Sequence, residues 1–71
     1  MRARLNTAEY EFAHGRRPRG RGHWALEIRC QNGQCNFTGT GTLSDMIRVA
    51  LANVREFKAV VGRVEEITVL P

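Results

Sequence analysis

Arg16, Arg17, Arg19 and Arg21 crowd into the stretch RRPRGRGHW, which runs straight into His23 and the chain's single tryptophan, Trp24. A guanidinium group keeps its charge at any physiological pH and grips carboxylates or phosphates through a planar fork of N–H donors. It does not make or break bonds by itself. The chemistry offered here is recognition of an anion, either a phosphate backbone or an acidic protein surface.

Other reactive side chains are sparse. The only serine, Ser44, and the only aspartate, Asp45, are adjacent and fall where a helix should start. Helix capping explains that pair better than a catalytic triad. Glu65 and Glu66 are neighbours on an expected strand, so their carboxylates point to opposite faces and do not pair for acid–base work. No enzymatic activity is expected. His14, His23, Cys30 and Cys35 are the candidate metal ligands, and the cysteines have four residues between them with no second cysteine pair. Three states stay open for the thiols: reduced core groups, a cross-strand disulfide, or a metal site. Packing is the leading role, because both fall on the apolar side of the expected strands. No metal or cofactor is therefore expected.

A chain of 71 residues, 42% hydrophobic, supports one small domain and one shallow core. Its charge is uneven. Met1 to His23 holds six arginines and two glutamates, while Trp24 to Pro71 holds five basic and five acidic residues. The whole excess of +4 sits in the first third. There is no apolar run of the roughly 20 residues a membrane span requires, and MRARLNTAEYEF lacks the apolar core of a secretory signal. A cytoplasmic protein is expected, with no membrane partner.

Local pattern supplies the scaffold. Residues 6–14 read as a short helix, capped by Asn6 or Thr7 and closed by Gly15. Residues 15–23 read as a loop, broken by Pro18 and the glycines. Trp24, Leu26, Ile28 and Cys30 alternate with Ala25, Glu27 and Arg29, the signature of a half-buried strand. Asn32-Gly33 predicts a type I′ hairpin that pairs Gln31 with Gln34, Cys30 with Cys35, Ile28 with Phe37 and Leu26 with Gly39. A main helix is expected from Thr42 to about residue 59, carrying the stripe Leu43, Met46, Ile47, Ala50, Leu51, Val54 and Phe57. Gly62 stops it, and a last strand runs from Val64 to Leu70.

The expected fold class is α+β. A short N-terminal helix precedes a β-β-α-β unit, with a three-stranded antiparallel sheet in the order 3-1-2 covered on one face by the main helix. Residues 1–23 form a basic helix and Arg/Gly loop, and residues 24–71 a compact domain, the two folding as one unit. Trp24, Leu26, Ile28, Phe37, Met46, Ile47, Ala50, Val54, Phe57, Ile67 and Val69 should form the core. On that layout Phe57→Ala would cost about 3–5 kcal/mol.

The segments EFAHGRRPRGRGHWAL, FTGTGTLSDMIRVALANV and the closing ITVLP together resemble a group of very small phage and mobile-element proteins. The shared pattern is HGRxPRGxGxW, then a Gly-Thr cap before a helix, then a terminal VLP. The chain is also similar in size and charge to a phage-encoded regulator that binds host RNA polymerase. That resemblance implies a regulator acting by stoichiometric binding to a host protein, with RNA polymerase the foremost partner and transcription the regulated process; a monomer is expected. It implies that the matching basic N-terminal positions Arg16, Arg17, Arg19 and Arg21, with His23, carry the binding. Arg29 joins them from the polar side of the sheet. The competing expectation is a nonspecific nucleic-acid binder using the same basic segment.

Overall fold

A computed structural model describes residues 3–71 of the chain. The elements in chain order are β1 (Arg4–Asn6), α1 (Ala8–His14), β2 (Arg21–Cys30), β3 (Gly33–Thr42), α2 (Leu43–Arg55), α3 (Lys58–Val61) and β4 (Val64–Val69). The strands form one sheet in the order β1-β4-β2-β3. β2 pairs antiparallel with both β3 and β4, and β1 pairs parallel with the outer side of β4.

The expected three-stranded antiparallel sheet is thus corrected to a four-stranded mixed one. The additional strand is Arg-Leu-Asn, three residues with one apolar side chain, too short to show an alternation. It owes its strand conformation to its neighbour, because Leu5 lies beside Ile67 on the apolar face. The N-terminal segment therefore contributes to the same sheet as the rest of the chain.

β2 occupies an inner position because its apolar alternation suits burial. Trp24, Leu26, Ile28 and Cys30 are all buried. Leu26 pairs with Val69 and Ile28 with Ile67, and these four meet Leu43, Ala50 and Val54 of α2 in the core. Phe37, Met46 and Ile47 are half-buried against that cluster. The Trp24 indole N–H donates to the Gly41 carbonyl at 3.1 Å, and Tyr10 of α1 packs on the same ring with centroids 5.5 Å apart.

The hairpin register is two residues away from the expected one. Cys30 faces Gly33, Ile28 faces Cys35, Leu26 faces Phe37 and Trp24 faces Gly39. A shift of two preserves which face each side chain occupies. Its cause is tertiary. The Gln31 and Asn32 backbone N–H groups donate to the Arg63 and Val61 carbonyls, and the Gln31 side-chain oxygen accepts from the Arg63 N–H. Those bonds place the two-residue turn on Gln31-Asn32. Neither Asn32 nor Gly33 is among the described residues with a positive φ, so the expected type I′ turn on Asn32-Gly33 does not form.

The main helix also ends earlier than its stripe suggested. α2 stops at Arg55 and a separate single turn, α3, follows. Thirteen helical residues rise about 20 Å, the same as six residues of extended β4. A helix continued to residue 59 would overshoot the start of the strand it must feed. Phe57 falls in the break and is 56% exposed, so it leaves the predicted core. The N-terminal end of α2 follows its sequence signal, with the Thr42 hydroxyl accepting from the Asp45 N–H at 3.1 Å.

Candidate partner-binding surface

The basic loop is held at both ends. Gly15 closes α1 with φ 68°, in the left-handed conformation, and its N–H donates to the Glu11 carbonyl. At the far end the Gly20 carbonyl accepts from the Leu43 N–H at 3.0 Å, which ties the loop to the start of α2. Between these anchors Arg16, Arg17, Pro18 and Arg19 line a shallow depression of about 520 Å³ with Leu5, Thr7 and Leu43. The depression contains no carboxylate side chain.

Arg21 and His23 follow on β2 and point to the sheet face opposite the core. Both are exposed. His23 faces Thr40, with Nδ1 3.3 Å from the Thr40 hydroxyl. The same face continues through Ala25, Glu27 and Arg29 on β2 and through Gln34, Asn36, Thr38 and Thr40 on β3. These short polar side chains make a hydrogen-bonding surface with little apolar content.

Five of the six expected site residues, Arg16, Arg17, Arg19, Arg21 and His23, therefore gather at one end of the molecule. Arg29 does not join them. It lies six residues beyond His23 on the same strand, about 20 Å along it. There it sits 3.9 Å from the Glu66 carboxylate, which also approaches Arg4 at 3.6 Å. Among the described residues no ion pair involves Arg16, Arg17, Arg19 or Arg21. Their charge faces solvent without a protein counter-ion.

The aromatic groups divide sharply. Trp24 is 5% exposed and committed to the core. His14 stacks on Tyr10 at 4.1 Å. Phe12 is 93% exposed and lies four residues before Arg16. The helix expected over residues 6–14 did not single out this bare aromatic ring.

The remaining reactive groups have local structural roles. The Asp45 carboxylate accepts from Arg48 within the first turn of α2, beside exposed Ser44. Cys30 and Cys35 are free thiols on the core side, diagonal across the hairpin rather than opposed. Burial, with the nearby Cys35 and Glu65, raises the Cys30 pKa above 9.0. No group of three or more potential metal ligands occurs among the described residues, and no helix is long and apolar enough to cross a membrane.

No protein-family model, curated protein or solved structure matches the chain.

Proposed function

We propose that the protein is a small regulator that acts by stoichiometric binding to an acidic surface of a host protein inside a bacterial cell. The phage-protein resemblance makes RNA polymerase the first partner to test. The observation that carries this reading is the loop Arg16–Arg19: anchored at both ends, free of ion pairs among the described residues, and preceded four residues earlier in the chain by the exposed ring of Phe12. Arginine and aromatic side chains are the residues that most often dominate protein interfaces. A loop pinned before binding loses less freedom on docking than a flexible tail. Catalysis, a metal and a cofactor have no part in this reading.

The nucleic-acid reading rests on a narrower base. Arginines would contact phosphates, and Phe12 and His23 would stack on bases. Buried Trp24 is not available for stacking. The polar sheet face carries Glu27, whose carboxylate a phosphate backbone would repel.

The deciding experiment is capture from bacterial lysate across a salt series, beside direct titration with unrelated DNA and RNA. The protein reading expects retention of a defined host protein at about 0.15 M ionic strength, where the Debye length is about 8 Å, and little binding of naked nucleic acid. Tight binding to random sequences, with log K falling linearly against log salt and no protein retained, supports the second reading and refutes the first.

A further inference from the structure

We propose that an acidic, amphipathic helix of the partner docks in the groove between α2 and the β1/β4 edge of the sheet. This inference rests on the protein-partner reading above and names the partner's element.

The sheet is wider than its cover. Four strands at about 4.8 Å spacing span roughly 19 Å, and a helix with its side chains covers about 10 Å. While α1 reaches β4 and sets Tyr10 against Trp24, α2 packs on β2 and β3. Beside it lies a groove of about 830 Å³, floored by Ala3, Leu5, Val64 and Ile67 and walled by Ile47 and Leu51. Leu5, at its edge, is 52% exposed. Three turns of a helix about 10 Å across, sunk to half their depth, occupy about 640 Å³. The groove therefore has room for a short helix lying beside α2.

Charge specifies the occupant. Arg55, Lys58 and Arg63 line one end of the groove, all exposed, and no carboxylate side chain lines it anywhere. Leu5 also borders the depression beneath Arg16, Arg17 and Arg19. The apolar floor thus runs from one cationic cluster toward another. An occupant with apolar residues on one face and glutamates or aspartates flanking them satisfies both. This matches the mode in which an amphipathic helix lays anchors at i, i+3, i+4 and i+7 into a groove.

The test uses the full chain, isotope-labelled, and two synthetic peptides of about 18 residues built from Leu, Ala and Glu. One peptide has its leucines on a single helical face. The other has the same composition reordered to abolish that face. The expected result is saturable shifts at the methyl groups of Leu5, Ile47, Leu51 and Val64 with the first peptide, and about tenfold weaker binding of the second. Lys58→Glu with Arg63→Glu, both at exposed positions, should weaken the first peptide about tenfold, and so should Leu5→Gln. Retained near-ultraviolet circular dichroism from Trp24 checks the fold of each variant.

Equal binding of the two peptides would overturn the groove and leave the acidic-partner reading standing. Shifts confined to the arginine loop would do the same. Groove shifts with laurate but not with the peptide would replace the helix by a small amphiphile. Self-association that Leu5→Gln abolishes would replace it by a second copy of this chain. Failure of both peptides together with retained nucleic-acid binding would sink the parent reading as well.

Discussion

The side chain of Gln31 and the backbone of Gly62 interlock: a Cβ placed on Gly62 would lie 2.8 Å from the Gln31 side-chain oxygen. Gly62 itself has φ 77° and ψ −155°, a region open to glycine almost alone. This contact sits where the Gln31-Asn32 turn exchanges hydrogen bonds with residues 61 and 63, and so it secures both the hairpin register and the entry to β4.

Gly62→Ala should accordingly destabilise the fold by about 1–3 kcal/mol, from backbone strain and the clash together. Urea unfolding followed by circular dichroism measures it. A loss below a few tenths of a kcal/mol would show that the turn relaxes without that contact.

Trp24→Phe should cost about 1–3 kcal/mol, because the Gly41 carbonyl loses its indole donor while most of the ring volume stays. The measurement is again a denaturation midpoint, with Tyr10 emission replacing tryptophan as the probe. An unchanged midpoint would mean that the hydrogen bond adds nothing to stability.

Phe57→Ala should cost less than about 1 kcal/mol, whereas Ile28→Ala should cost about 2–5 kcal/mol. Phe57 is mostly in solvent and Ile28 is fully enclosed. Equal losses would place Phe57 back in the core and contradict the helix break before α3.

Cys30 ties stability to alkaline pH. Its folded-state pKa is raised by burial first, then by Cys35 and Glu65. A raised acid binds its proton more tightly in the folded state than in the unfolded one. The contribution is complete below the unfolded pKa and is lost as pH rises through the folded value. Stability should therefore decline above about pH 9, and Cys30→Ala should flatten that decline. A thiol reagent should modify half-buried Cys35 before buried Cys30. Faster reaction at Cys30 would overturn the assigned environment.

How much of this was legible in residues alone depended on whether the deciding contact was local. The alternation from Trp24 to Cys30, the Thr42 cap and the Gly15 stop each act over a few residues, and each appears in the structure where the pattern put it. β1 was illegible, because Arg4–Asn6 becomes a strand only beside β4. The Asn32-Gly33 preference was a sound local signal overridden by the hydrogen bonds that Gln31 and Asn32 make with Arg63 and Val61. Phe57 continued the helical stripe in sequence, but the length of β4 set where the helix had to end. The arginine cluster was visible at once as charge. The groove was not, since it exists only in the distance between α2 and an edge strand that the pattern did not reveal.

Arg4 pairs with Glu66, and about 60 residues of chain separate them. During synthesis β1 has nothing to lie against until β4 has emerged. The arginine loop follows β1 and α1, so its anchorage on that side is incomplete until β4 is made. Hydrogen exchange should find β1 the earliest strand to open, well before β2. The binding surface is in this way timed to the emergence of β4: a copy cut before Val64 would carry the same arginine loop without the β1–β4 pairing that steadies its leading side.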